Sequence, residues 1–352
     1  MEKYRIDPTK GMEFGLYTLG DHMPNPQSGE RISSQQRINE LIELAKLADQ
    51  AGIDFFSVGE SHQEYFTTQA HSVVLSAIAQ ATENIKIASS STIVSTSDPV
   101  RVYEDFATID LISNGRAEIV CGRASRVGLF ELLGYDIRNY EELFEEKFEL
   151  LLKINEEEVV NWSGKFRAPL KDAQILPRPL NGSMPIWRAV GGPPASAIKA
   201  GHAGVPMFLA TLGGPTETFK QSIDAYREAA ELSGHDSQQL PVATAGFFFA
   251  AETTQEALET YYPYINEGMK LSNGRGFPWY SFMHGAESDS VMNVGSPQQI
   301  IEKILYQHEV FGHQRYIGQM DFGGVPFDQL MKNIEYIGND ILPAIKKYTA
   351  KK

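Results

Sequence analysis

Three short stretches of the chain carry residue types that could do chemistry together. Glu60-Ser61-His62 sets a carboxylate, a hydroxyl and an imidazole side by side, a group able to take or return a proton near neutral pH. Cys121-Gly122-Arg123-Ala124-Ser125-Arg126 places a guanidinium fork among small residues. Gly191-Gly192-Pro193-Pro194-Ala195-Ser196 joins two glycines, whose backbone a ligand can approach closely, to the start of a helical pattern. Unpaired N–H groups at a helix start, a hydroxyl from Ser196 and the Arg123 fork would together suit a phosphomonoester. Read alone, Gly-Gly-Pro-Pro fits a tight turn equally well, Arg123 an ion-pair partner, and His62 a ring held by a backbone carbonyl. Cys121 reads as a small core residue rather than a nucleophile.

These stretches need elements to position them, and the hydrophobic pattern supplies a repeating set. Eight apolar runs read as strands: Glu13–Leu19, Asp54–Gly59, Ile85–Ser90, Ala117–Cys121, Pro185–Val190, Val205–Ala210, Pro241–Phe249 and Arg315–Met320. Most lack clean alternation, as expected of parallel strands covered on both faces. Amphipathic helices separate them. One has Ile38, Leu41, Ile42, Ala45 and Ala48 on one face with Gly52 as a left-handed stop; another opens on the capping box Ser296-Pro297-Gln298-Gln299. The order fits an α/β fold of (β/α)₈ TIM-barrel type, one domain over residues 1–352, with functional residues at the C-terminal strand ends. Two stretches exceed the bare repeat. Residues 158–184 read as an excursion after strand four, and the glycine- and serine-rich 266–295 as a mobile, irregular lid after strand seven. The glutamates of 141–158 read as a solvated helix face, opposite an apolar stripe of Phe144, Phe148, Leu151 and Leu152.

Composition narrows the function classes. Among 352 residues, 31 Lys and Arg face 45 Asp and Glu, for a net charge of −14 without a basic stripe. Such a chain is a poor partner for nucleic acid or an anionic membrane. The single cysteine excludes an intrachain disulfide framework, and eight scattered histidines suggest no metal site. Neither a membrane-length apolar run nor an apolar signal core at the start is present, so a cytoplasmic protein is expected. Gly-x-Gly-x-x-Gly after strand one, Walker loops, Gly-x-Ser-x-Gly elbows and His-Glu-x-x-His pairs are missing.

Five segments in order resemble the bacterial-luciferase-like family of flavin-dependent oxidoreductases: Phe14-Gly15, Gly52-Ile53-Asp54 through Gly59-Glu60-Ser61-His62, Asp98-Pro99-Val100-Arg101, Asp110-Leu111-Ile112-Ser113-Asn114-Gly115-Arg116, and Cys121-Gly122-Arg123. The resemblance spans nearly the whole chain. It implies flavin mononucleotide (FMN), bound reduced as a co-substrate, with Arg123, the amides of Ala124 and Ser125, Gly191, Gly192 and Ser196 around its phosphate. Ser90-Ser91 matches a place where family members often have a non-prolyl cis peptide under the flavin ring. Thr92 would sit against the ring, and Tyr17 and Gln319 are further candidates for its pocket. His62 and Ser61 occupy the catalytic positions. The departures are Ser61, where the luciferases have a catalytic histidine; Gly122, where they have a reactive thiol; and Ala124, at a position commonly glycine.

What the resemblance implies is a monooxygenase fed reduced FMN by a separate flavin reductase, using oxygen to oxidise a small organic substrate, and assembled as a homodimer. Three alternatives stand beside it: a deazaflavin-dependent hydride-transfer oxidoreductase, a non-catalytic flavin-binding protein, and an unrelated barrel enzyme acting on a phosphorylated metabolite.

Overall fold

The computed structural model describes residues 1–124 and 128–351. Its centre is a closed barrel of eight parallel strands: β1 (Glu13–Thr18), β2 (Phe55–Val58), β3 (Lys86–Ser89), β4 (Ala117–Gly122), β5 (Ile186–Val190), β6 (Met207–Ala210), β7 (Val242–Ala250) and β8 (Arg315–Gln319). Each pairs with its sequence neighbours, and β8 closes onto β1 with Glu13 opposite Arg315 and Leu16 opposite Gly318. All eight fall where the apolar runs place them, within one or two residues at each end. Burial on both faces explains why those runs do not alternate: every residue of β2, β4, β7 and β8 is buried.

Side chains nevertheless alternate between two cores. Phe55, Ala88, Val120, Trp187, Phe208, Ala243, Ala245 and Ile317 fill the barrel interior, while their neighbours pack outward against the helices. Following the inward positions up the strands gives a consistent gradient. β4 runs Glu118, Val120, Gly122; β3 runs Lys86, Ala88, with Ser90 just beyond its end; β8 runs Arg315, Ile317, Gln319. Charge sits at the N-terminal end, apolar bulk in the middle, and small or polar residues at the mouth.

The helix caps follow the sequence. Ser33 and Ser296 each accept a backbone N–H three residues on, and Gly52 takes φ +77° after the helix Ser34–Gln50. The excursion between β4 and β5 contains an antiparallel hairpin, Val160–Trp162 with Leu170–Ala173. Residues 266–295 differ from the irregular loop expected. The helix Thr254–Asn273 runs on through the first part, a second helix covers Trp279–Gly285, and Asn293–Gly295 pairs in parallel with Phe248–Ala250 of β7. Gly268 is no breaker here: a Cβ on it would come within 2.8 Å of Phe322, so it permits close packing. Among the described residues, no helix is long and apolar enough to cross a membrane.

Candidate active site

At the mouth, the ends of β2, β3, β4 and β5 converge on a cavity of about 330 Å³. Ser61, His62, Ser90, Ser91, Arg123, Ala124 and Gly191 line it, with Tyr17, Phe208, Leu212 and Ala245 as apolar walls.

One side is built from β2 and β3. The chain leaves β2 through Gly59, where a Cβ would lie 2.5 Å from the Ser90 carbonyl oxygen, so only glycine lets the two strand ends touch. Glu60 then ties them together. Its N–H donates to the Ser91 carbonyl (3.0 Å), and its Oε2 accepts the Ile93 N–H (2.7 Å). Its Oε1 lies 2.7 Å from His62 Nε2. An ionised carboxylate only accepts, so Nε2 carries the proton and Nδ1 is the ring atom left for acid–base exchange. The Ser90–Ser91 peptide is cis, at the position the resemblance indicates.

The Ser90 hydroxyl is buried without a hydrogen-bond partner among the described residues. Opposite, Gly122 presents bare backbone: a Cβ there would fall 2.0 Å from the Ser91 Oγ. Cys121 points the other way, into the outer core; burial raises its thiol pKa well above the ordinary value, against the lowering pull of Arg188. Thr92 does not join the cavity. Its hydroxyl lies 2.8 Å from Nε2 of His71, a buried ring whose pKa burial lowers although Glu60 opposes the shift. Gln319 also turns elsewhere, its amide donating to Asp21 at 3.5 Å, whereas Tyr17 lines the cavity.

The other side is built from β4, β5 and the helix Pro194–His202. Arg123 donates through Nη2 to Ser196 Oγ (3.0 Å) and through Nη1 to both oxygens of Glu141 (2.7 and 2.8 Å). No side chain caps the start of that helix. Gly192 has φ +105° and its carbonyl accepts from the Ser222 hydroxyl. Ala124 takes φ +62°, a conformation that favours glycine, and its carbonyl accepts from Tyr140 Oη (2.9 Å). Gly192 and Ser196 lie beside the cavity rather than in its lining, and Ser125 lies outside the described residues.

Two parts of the site were missed in the sequence. Glu141 and Glu145 are not simply solvated: Glu141 holds Arg123, and Glu145 pairs with Arg188 and Lys199. Nor did the sequence reveal that Glu60 bonds to Ile93; a carboxylate just past a strand end was its only trace. Ser90's unmet hydroxyl, the bare backbone at Gly122 and the uncapped helix start beside Arg123 suit a planar polar ring joined to a phosphate.

Comparison with known proteins bears on the family and the fold. The family model for luciferase-like monooxygenases matches residues 12–314. The oxygenase component of the flavin-dependent trigonelline monooxygenase of Acinetobacter baylyi is 22% identical, over 96% of each chain. Three solved structures share the fold. The monooxygenase RslO1 from Streptomyces bottropensis has a TM-score of 0.83 at 24% identity, covering 94% of this chain and 99% of its own. The oxygenating constituent of 3,6-diketocamphane monooxygenase from Pseudomonas putida, a type II Baeyer-Villiger enzyme in complex with FMN, has 0.75 at 21%, over 95% and 98%. The coenzyme F420-dependent tetrahydromethanopterin reductase of Methanopyrus kandleri has 0.73 at 18%, over 95% and 99%. The chain belongs to the luciferase-like monooxygenase family. It is an oxidoreductase-family barrel with both flavin-dependent monooxygenases and F420-dependent enzymes among its neighbours.

Proposed function

We propose that this protein is the oxygenase component of a two-component flavin system, taking reduced FMN from a separate reductase and oxidising a small organic substrate with oxygen. The observation that carries the reading is one cavity flanked by a phosphate-type grip at Arg123 and Ser196 and a proton-handling ring at His62. FMN, when bound, supplies the redox chemistry and the reaction with oxygen. The chain's own residues do the rest. Arg123, Ser196 and the amides opening the helix Pro194–His202 hold the phosphate. The Ser90–Ser91 ridge, Tyr17, Phe208 and Ala245 form an apolar-walled slot for the ring, and Ser90 Oγ meets a polar edge of it. His62 moves a proton at Nδ1 while Glu60 fixes the ring through Nε2. Ser61 cannot titrate near neutral pH and serves as a hydroxyl on the slot wall.

A second cavity, about 630 Å³, lies beside the first and shares Leu212 with it; Phe247, Met269, Phe277 and Tyr280 line it. We assign it to an apolar or aromatic substrate, with residues 266–295 as its cover. Assembly as a homodimer remains part of this reading.

The direct test is an anaerobic titration with reduced FMN followed by admission of oxygen. Saturable binding and slow reoxidation, slower than in free solution, support the oxygenase reading; absence of binding overturns it. The likeness to an F420-dependent reductase favours one second reading, hydride transfer from a deazaflavin. Tight F420 binding with FMN ignored selects it.

A further inference from the structure

The charged groups around Arg123 form a chain of alternating sign rather than a simple basic pocket. Arg123 meets Glu141, Glu141 lies 3.3 Å from Lys199, Lys199 is 2.9 Å from Glu145, and Glu145 binds Arg188 at 2.7 and 2.8 Å. The two carboxylates are not equivalent. Glu145 is anchored by Arg188, which is buried; burial pushes the Glu145 carboxyl up, but Arg188 and Lys199 outweigh it and hold the pKa down at about 2. Glu141 sits in the first turn of the helix Tyr140–Glu156 with its side chain 52% exposed and, among the described residues, reaches Arg123 and the half-exposed Lys199. It holds the guanidinium by both carboxylate oxygens, where a phosphate would also bind.

We infer that Glu141 is a resident competitor for the cofactor phosphate: its carboxylate occupies the Arg123 fork and must be displaced, with Lys199 as its landing point, for the phosphate to enter. The inference rests on the flavin reading above and gives Glu141 a role in setting affinity. A cofactor that arrives from another protein and leaves after each cycle has to be released, and a built-in carboxylate rival weakens its hold without removing the Arg123 contact.

The test is fluorescence titration of the full-length protein with FMN and, separately, with riboflavin, which lacks the phosphate. Glu141→Gln keeps the shape and removes the charge. It should tighten FMN binding by roughly three- to tenfold, the range for one partly screened charge pair acting on a multiply charged anion, and leave riboflavin unchanged. The gain should shrink as salt is raised. Glu142→Gln is the control for overall charge, because Glu142 pairs instead with Lys165 at 2.5 Å; it should leave FMN affinity unchanged. Unchanged or weaker FMN binding in Glu141→Gln, with thermal stability retained, overturns the inference and makes Glu141 a support for Arg123. Equal tightening in both variants also overturns it, since net charge alone would then explain the effect. If none of the three proteins binds FMN, either oxidised or reduced under anaerobic conditions, the flavin reading itself is overturned.

Discussion

The two ends of the barrel handle buried charge in opposite ways. At the N-terminal end Arg315, fully buried, donates to Glu13 (2.7 Å) and to both oxygens of Glu118 (2.8 and 3.0 Å), and Trp187 Nε1 donates to Glu118 (2.8 Å). The guanidinium also lies over Phe55, 4.1 Å from the ring centroid. Every member is tied to another of the set. At the mouth the Ser90 hydroxyl is buried without a partner among the described residues, and Arg123 is satisfied by a carboxylate that is half in water. A closed set of charges specifies and holds the barrel; an open one retains bonding capacity for a ligand. On the proposed reading, stability and binding fall to opposite ends of the same strands, β4 contributing Glu118 to one and Gly122 to the other.

On that division, variants sort by end. The largest effect belongs to Glu118→Ala, which takes two of the buried Arg315's three carboxylate bonds and leaves it with Glu13 alone. It should cost about 3–5 kcal/mol of stability, measured by denaturant unfolding, while any folded protein keeps normal FMN affinity. The pH dependence has a defined sign. Burial raises the Glu118 pKa, but the charge and hydrogen bonds of Arg315 outweigh it and hold it below its ordinary value. Its contribution is therefore complete at neutral pH and is lost as pH falls below the usual carboxylate range. Melting temperature should drop less steeply with acidification in Glu118→Gln than in the parent.

Arg123→Ala comes next and acts at the other end. FMN affinity should fall by roughly ten- to a hundredfold, the worth of one charge-assisted contact, with riboflavin binding and melting temperature nearly constant. Equal losses for FMN and riboflavin would remove the phosphate role. Ser61→His restores the luciferases' residue and should raise turnover several-fold with a new ionisation in the pH–rate profile; an unaltered profile would mean His62 alone handles the proton. The smallest effect is Ala124→Gly, which relieves a left-handed backbone and should stabilise by up to about 1 kcal/mol, read as a shift in the unfolding midpoint.

How much of this was legible beforehand differs between elements and contacts. Eight buried strands leave eight apolar runs, so the barrel could be read directly. The β4 and β5 mouth segments were legible too, because backbone approach and a cationic fork are local properties of Gly191-Gly192 and Arg123. Contacts across the fold were not. Glu141 stands among glutamates that share its composition, and only the packing of the helix Tyr140–Glu156 beside β5 decides that it faces Arg123. Thr92 departs from the place the resemblance implies for a related reason. β3 ends at Ser89 and a short strand resumes at Thr92, so the alternation that directs Ser90 inward does not carry across the break. In residues 266–295 glycine content imitated a loop, but Gly268 lets the helix Thr254–Asn273 lie close against Phe322, and Gly285 packs against Met292.

The contact between Gly122 and Ser91 makes positions 91 and 122 a matched pair with space for a single side chain. In this chain the side chain comes from β3's side, as the Ser91 hydroxymethyl. A Cβ added at Gly122 would meet Ser91 Oγ at 2.0 Å and its Cβ at 2.8 Å, so a larger residue on the β4 side requires volume surrendered at position 91. Engineering a thiol into this mouth is accordingly a two-residue exchange, Gly122→Cys with Ser91→Gly.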